Sequence, residues 1–117
     1  MLQLLQPDFE HADSRRTLRQ ILTANIAQVN TYQVTKGAIL GNHFHKETRE
    51  FFYIMKGTFL VILRKLTGES TSQVVNKGTF FVVEPNNVHL VEALTNGEIM
   101  TMLTRAYTPE STDTYKA

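Results

Sequence analysis

The 117-residue sequence contains no cysteine and has no excess of charge of either sign. Without cysteine the protein has no disulfides, no thiolate metal ligands and no cysteine nucleophile. Its 12 basic and 11 acidic residues are scattered along the chain and give a formal net charge of +1. No basic block therefore offers the electrostatic footprint that nucleic-acid binding requires, and we expect no nucleic-acid partner.

Long hydrophobic runs and a basic leader are also missing. No apolar run exceeds the five residues of Phe51 to Met55 and Phe59 to Leu63, whereas a membrane helix needs about 20. The first residues, MLQLLQPDFE, lack the basic start and long apolar stretch of a secretory signal. These absences predict a soluble protein without a membrane partner, and a cytoplasmic location fits them.

The residues that are present favour strands. Val, Ile and Thr make up 30 of the 117 residues, and their stiff side chains suit a pleated sheet better than a helix. Short apolar stretches, separated by turns rich in Gly, Asn and Pro, predict strands at Thr17 to Leu22, Ile26 to Thr35, Arg49 to Met55, Thr58 to Lys65, Ser70 to Val75, Thr79 to Val83, Val88 to Ala93 and Glu98 to Arg105. We expect one all-β domain over residues 1–117, with a surface tail at 107–117 and at most a marginal helical turn near 8–16.

Two of the predicted strands are apolar on both faces. The runs EFFYIM and TFLVIL do not alternate as a half-exposed strand would. Something must cover both sides of them, either a packed second sheet or a partner subunit. Because a symmetric dimer is the commonest soluble assembly, we expect a homodimer.

Histidine is the residue type with the most informative spacing. His43 and His45 are two positions apart, so on a strand their imidazoles lie side by side and can meet one metal ion. Glu50 on the next strand offers a third ligand, with Glu47 as a nearer competitor, and His89 follows a turn from which a fourth ligand can approach. Imidazoles with a carboxylate suit zinc, iron, manganese, nickel or copper, and do not suit calcium or magnesium.

The glycines around these residues carry a resemblance. The segment from Gly37 to Gly57 resembles the first motif of the cupin superfamily, G(X)5HXH(X)3-4E(X)6G, with every fixed position filled. The second motif, G(X)5PXG(X)2H(X)3N, retains Gly78 and His89. It has Glu84, Asn86 and Ala93 where proline, glycine and asparagine are usual. Asn tolerates the left-handed turn conformation that Gly would adopt.

The resemblance implies both a fold and a metal site. Cupins are small antiparallel double-sheet barrels of jelly-roll type. Members that match the first motif fully usually bind one divalent metal ion through the residues that match His43, His45, Glu50 and His89. Cupins of this size commonly form dimers through N-terminal strands, so residues 1 to 35 are the expected contact.

A closer likeness extends to both ends of the chain. The segments DSRRTLRQIL, AQVNTYQVTKGAILGNHFH and AYTPESTDTY are similar to cupins that act on nucleotide-linked sugars. Among these are the C-terminal cupin domain of capsular polysaccharide assembly proteins and the dTDP-4-dehydrorhamnose 3,5-epimerase group. Members epimerise or isomerise keto sugars, so the likeness implies a small-molecule substrate.

Such a reaction requires a base, a group that stabilises an enolate oxygen, and an acid. An imidazole nitrogen that binds a metal cannot also be the base. If the histidines hold an ion, the proton-transfer candidates are Tyr32, Tyr53 and Glu47. If the site is free of metal, His43 or His45 is the base.

Three other functions remain open at the level of sequence. An iron centre would allow a dioxygenase. A metal-assisted cyclase or isomerase of polyketide-type substrates is compatible with an apolar pocket, whose expected lining is Phe52, Ile54, Phe81 and Val91. A non-enzymatic module that binds a sugar or a metal is the third. A polar pocket would favour the sugar, and an apolar pocket the aromatic substrate.

Overall fold

Twelve strands make up the regular structure of the described residues. The structure is a computed structural model and describes residues 2–117, among which there is no helix. The strands are β1 (Gln3–Leu4), β2 (Phe9–Ala12), β3 (Thr17–Gln20), β4 (Gln28–Val34), β5 (Ile39–Phe44), β6 (Glu50–Lys56), β7 (Phe59–Lys65), β8 (Ser70–Val75), β9 (Phe80–Val83), β10 (Asn87–Ala93), β11 (Gly97–Leu103) and β12 (Tyr115–Lys116).

The strands form two five-stranded sheets and one hairpin, and all their pairings are antiparallel. The first sheet has the order β1-β9-β6-β11-β4, and the second has the order β12-β5-β10-β7-β8. Within the described part of the chain, β2 and β3 pair with each other alone. This arrangement confirms the predicted all-β, double-sheet jelly roll, with hydrogen bonding divided between two sheets rather than closed into one barrel.

The main core lies between the two sheets. Phe52 and Ile54 of β6 and Phe81 of β9 meet Phe59 of β7 and Val91 of β10 in one buried cluster. Phe52 and Phe81 stack with ring centroids 4.8 Å apart and nearly parallel planes. A packed second sheet therefore covers the inner face of β6, as one of the two sequence alternatives required.

The chain's own N-terminal segment covers the outer face of β6. Phe51, Phe80, Val82 and Met102 form a second buried cluster, against which pack Tyr53, Met100 and the N-terminal side chains Leu5, Ile21, Leu22 and Ile26. Phe51 is 3% exposed in the single chain. The apolar character of both faces of β6 therefore needs no partner subunit to explain it.

Three local features of the structure go beyond or differ from the sequence analysis. Residues 8–16 contain no helical turn. Residues 9–12 of this segment form β2, which pairs with β3 in a hairpin. Residues 39–44 form strand β5, which the glycines of that segment concealed. The tail is more than a surface extension, since Tyr115 and Lys116 of β12 pair with Phe44 and His43 of the same chain.

No helix in residues 2–117 is long and apolar enough to span a membrane.

Candidate functional site

Neighbouring strands of the second sheet bring two of the predicted histidines together. In the β5–β10 pairing, His43 lies opposite His89, and a register shift follows directly after His89. Their ring centroids are 4.6 Å apart. His45, just beyond the end of β5, has its ring 5.2 Å from that of His43 and 5.3 Å from that of His89.

Glu50 approaches this group from the other sheet, at the first position of β6. Its Oε1 lies 3.1 Å from Nε2 of His45 and 3.3 Å from Nε2 of His89. One ligand atom from each of His43, His45, Glu50 and His89 lies within 4.8 Å of all the others. Three of the four residues are buried, and His43 is half-buried.

Two backbone features make this convergence possible. Gly41 has φ +88°, and a Cβ at that position would lie 2.7 Å from the main-chain oxygen of His89. β5 and β10 can therefore approach each other only because residue 41 has no side chain. Asn86, in the turn before β10, has φ +67°, the left-handed conformation expected where it replaces the motif glycine.

Charge complementarity sets the protonation of the group. Burial opposes ionisation of Glu50, but hydrogen bonds and charges from His45 and His89 outweigh it and lower the pKa of Glu50 to about 2. Burial lowers the pKa of His43 to about 4, and the neighbouring imidazoles add to this effect. Burial acts against protonation of His45 as well, yet its hydrogen bonds to Glu50 and to a main-chain carbonyl raise its pKa. Without a metal, His43 is neutral near pH 7 and Glu50 is ionised.

Two cavities share His43 and Glu50 in their walls, and together we call them the cleft. The inner cavity, about 200 Å³, has mostly apolar walls from Leu40, Phe52, Val91 and Ile99. The outer cavity, about 570 Å³, has more polar walls than the inner cavity, and its polar lining includes the following residues: Gln28, Asn30, Thr31 and Thr114. Tyr32, His43 and Glu50 line both. The cleft therefore combines the polar and apolar surroundings that the sequence left as alternatives.

Two buried polar atoms at this site have no hydrogen-bond partner among residues 2–117. They are Nδ1 of His89 and Oγ1 of Thr101, and both residues line the inner cavity. An unpaired buried polar group typically costs about 1–3 kcal/mol. A ligand or ordered solvent that pairs with them would recover that cost.

The predicted proton-transfer residues lie in three different places in the fold. Tyr32 lines the cleft. Tyr53 does not line the cleft, because its neighbours Phe52 and Ile54 face the core and Tyr53 faces the opposite side of β6, where it packs against Phe80. Glu47 lies on the surface and pairs with Arg105.

The expected apolar lining needs a similar correction. Phe52 and Val91 line the inner cavity. Ile54 and Phe81 are fully buried in the core between the sheets instead. They therefore do not line the inner cavity.

The donor set fits a first-row transition metal ion. Nε2 atoms of two imidazoles face one carboxylate oxygen, and a third imidazole lies alongside. The other ring nitrogen of His45 is fixed by the main-chain carbonyl of Asp113 at 2.8 Å. Such a second hydrogen bond commonly orients a histidine that ligates a metal. Sequence reasoning missed Asp113, since nothing in the local pattern links residue 113 to residue 45.

The shifted histidine pKa values predict how pH affects the stability of metal-free protein. The unfolded chain protonates His43 near pH 6.5, but the folded protein does so only near pH 4. The free energy of unfolding should therefore fall as the pH drops through this window, by up to ~1.4 kcal/mol per pH unit. The raised pKa of His45 affects stability in another pH range. The stabilisation that protonated His45 gives is complete below pH 6.5, and it is lost as the pH rises through the pKa of His45 in the folded protein. Glu50 contributes above its unfolded pKa of 4.5 and loses that contribution only towards pH 2.

Urea unfolding of chelator-treated protein at about pH 7 and about pH 5 checks this expectation. His43→Gln should remove most of the loss between the two pH values. His11→Gln, which changes an exposed histidine of the β2–β3 hairpin, is the matched control and should keep the loss. An unchanged pH dependence in His43→Gln would contradict the assignment to His43.

Comparisons with known proteins bear on this geometry. The family model described as "Polysaccharide biosynthesis C-terminal domain" matches residues 11–115. No curated protein matches the chain in sequence. The capsular polysaccharide assembling protein CapF from Staphylococcus aureus is 22% identical, with a TM-score of 0.72 over 92% of this chain. This chain covers 32% of that protein, about a third of its length.

Two enzymes of sugar nucleotides share the fold over more of their length. The sugar 3,4-ketoisomerase QdtA from Thermoanaerobacterium thermosaccharolyticum, solved with TDP, is 17% identical, with a TM-score of 0.81 over 99% of this chain and 88% of its own. The dTDP-4-dehydrorhamnose 3,5-epimerase from Sulfolobus tokodaii is 19% identical, with a TM-score of 0.72 over 86% of this chain and 69% of its own. These likenesses confirm the cupin jelly roll.

Proposed function

The chain belongs to the family of polysaccharide biosynthesis C-terminal domains, and from this premise we propose that it is an epimerase or isomerase of a nucleotide-linked keto sugar with one bound transition metal ion. The observation that carries the proposal is the convergence of His43, His45, Glu50 and His89 in a cleft of a cupin fold. The T. thermosaccharolyticum and S. tokodaii proteins support the substrate class by their names alone, and the name of the S. aureus protein supports a role in polysaccharide assembly.

In this proposal the three histidines and Glu50 hold the ion. When bound, a divalent ion supplies a Lewis acid that stabilises negative charge on an enolate oxygen. His45 is oriented through its Nδ1, and Glu50 is already ionised in the metal-free protein because its pKa is about 2. Little proton release from Glu50 would therefore oppose binding near neutral pH.

Tyr32 is the proposed proton-transfer residue. Of the three candidates it is the one that lines the cleft, since Tyr53 faces the second cluster and Glu47 pairs with Arg105 at the surface. β4 is an edge strand of the first sheet, and it presents Tyr32 to both parts of the cleft. In its phenolate form Tyr32 would remove the proton from a carbon beside the ketone, and the phenol that results would return a proton to carbon.

The two parts of the cleft suit two parts of such a substrate. The polar outer cavity offers the Gln28 and Asn30 amides to hydroxyl groups of the sugar and the nucleotide. The apolar inner cavity is too small for a nucleotide, and it excludes water from the carbon that loses its proton. We propose that the sugar ring enters with its carbonyl end towards Glu50 and the histidines.

Solvent-proton exchange tests the proposed chemistry directly. TDP-4-keto-6-deoxyglucose, the molecule named in a QdtA complex, is incubated with metal-loaded protein in D2O and followed by proton NMR. Loss of the signal from carbon 3 or carbon 5, the carbons beside the ketone, is the expected result. No exchange with this probe or with a uridine-linked 4-keto sugar would overturn the enzymatic proposal and leave a binding module.

Metal content should depend on Glu50 and not on Glu47. Glu50→Gln removes the charge that faces His45 and His89, while Glu47→Gln removes an equal charge that pairs with Arg105 at the surface. Loss of a residue outside the ligand shell costs about 10–100-fold in metal affinity, so loss of a ligand should cost at least as much. Elemental analysis of protein purified without a metal-affinity tag gives the metal content, and a zinc titration gives the affinity. Lower metal content in Glu47→Gln alone would reverse the assignment.

A metal-free site would use a different base. His43 would then be that base, because it is neutral near pH 7 and lines both cavities, whereas both ring nitrogens of His45 face acceptors. Full exchange activity in protein shown by elemental analysis to lack metal would select this alternative. His43→Asn should then abolish exchange.

An isomerase or cyclase of polyketide-type substrates is the second candidate function. The observation that favours it is the apolar wall of the inner cavity, formed by Leu40, Phe52, Val91 and Ile99. The polar outer cavity favours the sugar nucleotide. Competition binding between TDP and a small aromatic ketone would rank the two substrate classes.

We also propose that the protein is a homodimer in solution. Among residues 2–117 the two strands of the β2–β3 hairpin pair only with each other, and they are exposed throughout, with Phe9 53% and Leu18 38% exposed. An isolated two-stranded hairpin is marginally stable in water, so a second copy that covers these side chains would stabilise it. The hairpin lies within the residues 1 to 35 that the family resemblance implicates.

Light scattering after size exclusion checks the assembly. The expected mass is about twice the 13.4 kDa of the chain. Phe9→Ser with Leu18→Ser should shift it towards the monomer, while Val74→Ser, at another exposed apolar position, should not. A wild-type monomer at micromolar concentration would refute the dimer.

A further inference from the structure

The C-terminal strap, defined as residues 112–116, lies against the segment that carries His43 and His45. Tyr115 and Lys116 pair with Phe44 and His43 in the second sheet. The Tyr115 ring stacks on Phe44 with centroids 5.5 Å apart. The strap thereby brings residue 113 next to His45, 68 positions earlier in the sequence.

Asp113 contacts the site with two different groups. Its main-chain carbonyl accepts a hydrogen bond from Nδ1 of His45 at 2.8 Å. Its carboxylate accepts hydrogen bonds from the main-chain N–H groups of Lys46, Glu47 and Thr48, at 3.1, 2.9 and 2.8 Å, and from the Thr48 hydroxyl at 2.8 Å. Asp113 thus fixes both the ring of His45 and the turn that follows it.

The backbone of Asp113 is held in an unusual conformation. Its φ is +45°, in the left-handed region that few residues other than glycine adopt. Four hydrogen bonds to its carboxylate hold this conformation in place. Strain that a dense set of contacts maintains in this way is common at functional sites.

The carbonyl of Asp113 requires Nδ1 of His45 to carry a proton. A carbonyl oxygen only accepts, so Nδ1 of His45 must be the donor. Nε2 is then the nitrogen directed to Glu50, 3.1 Å away. If Nδ1 were not held, the ring could rotate or change tautomer, and Nε2 would no longer converge with His43 and His89.

From these contacts we propose that Asp113 is a positioning residue for His45, and that the C-terminal strap is part of the site rather than a surface tail. The effect of Asp113 on metal affinity rests on the proposed function. Its effect on the orientation of the His45 ring does not rest on the proposed function, because the hydrogen bond between Asp113 and His45 joins two groups of the chain and involves no metal. Thr114 of the same strap also lines the outer cavity.

Two variants of Asp113 and one control separate its contributions. Asp113→Ala removes the carboxylate and places alanine at φ +45°, a left-handed conformation that is unfavourable for that residue. Asp113→Gly removes the same carboxylate but accepts φ +45° without strain. Glu110→Gln removes an exposed carboxylate earlier in the tail, which makes no side-chain hydrogen bond among residues 2–117.

The first measurement is nitrogen-15 NMR of the His45 ring in chelator-treated protein. The wild type and Glu110→Gln should show an Nδ1 proton that exchanges slowly with water. Both Asp113 variants should lose this slow exchange, while amide spectra establish that they are folded. A protected Nδ1 proton in Asp113→Gly would overturn the proposal, since the carboxylate would then not be needed to hold the ring.

The second measurement is the affinity for Co²⁺, followed by its visible absorption. We expect affinity 10–100-fold weaker in both Asp113 variants than in the wild type, as for other residues that orient a ligand, and no change in Glu110→Gln. Equal Co²⁺ affinity in Asp113→Gly and the wild type would overturn the role in metal binding. If the wild type itself binds no Co²⁺, the proposed metal site fails, and the NMR result still decides whether Asp113 positions His45.

Discussion

Replacing Tyr32 with phenylalanine is expected to slow the exchange of substrate protons with solvent by about 10²–10⁴-fold, the usual contribution of a general acid or base. The substitution removes one hydroxyl from a side chain that lines both parts of the cleft. It leaves the three histidines and Glu50 unchanged, so metal content should stay at the wild-type level. Proton NMR in D2O gives the rate, and elemental analysis gives the metal content.

Tyr53→Phe is the matched control for this prediction. It makes the same chemical change on the same sheet, but Tyr53 packs against Phe80 on the outer face of β6. Its exchange rate should equal that of the wild type within a factor of about two, a tolerance that corresponds to ~0.4 kcal/mol in activation free energy. If both tyrosine variants exchange at the wild-type rate, the proton-transfer role belongs to another group, with His43 the next to test.

Replacing Gly41 with alanine is expected to lower the free energy of unfolding by about 2–5 kcal/mol and to remove bound metal. A residue other than glycine pays about 1–2 kcal/mol for the left-handed conformation, and Gly41 has φ +88°. The new Cβ would also lie 2.7 Å from the main-chain oxygen of His89, and such overpacking typically costs about 1–3 kcal/mol. Because the clash pushes β10 away from β5, His89 should move away from His43.

Gly37→Ala separates the cost of the left-handed conformation from the cost of the steric clash. Gly37 has nearly the same φ, +89°, but a Cβ there meets no atom within 4 Å among residues 2–117. We expect Gly37→Ala to pay the conformational cost alone and to keep its metal. Urea unfolding measures stability, and elemental analysis measures metal content. Equal stability loss and equal metal content in the two variants would show that close contact between β5 and β10 is not what positions His89.

Local pattern was enough to identify most of the fold and the principal residues of the cleft. β-branched stretches between turns gave seven strands of the two main sheets within one or two residues at either end. The spacing of His43, His45 and Glu50, together with their glycine frame, identified a group that the structure brings within 4.8 Å. Such features depend on periodicity and turn chemistry, which short segments encode by themselves.

Strands β5 and β2 escaped the same reasoning for physical reasons, whereas the predicted strand Thr17 to Leu22 contains β3. β5 contains Gly41 and Asn42, both with positive φ, so its segment looks like a loop although its ladder to β10 makes it a strand. β2 consists of four mixed polar and apolar residues whose sequence carries little preference of its own. Pairing partners far along the chain, or directly across a turn, decided these elements.

The sequence by itself determined the all-β fold, the glycine positions of the motif and the four residues that converge. The tertiary structure alone decided which tyrosine reaches the cleft. Tyr53 alternates along β6 with the core residues Phe52 and Ile54 and therefore lies on the outer face, whereas Tyr32 of β4 lines the cleft. The tertiary structure also decided that the chain's N-terminal segment covers β6, and that Asp113 holds His45 across 68 positions. Contacts between segments so distant in sequence depend on how the two sheets pack, and no local pattern contains that information.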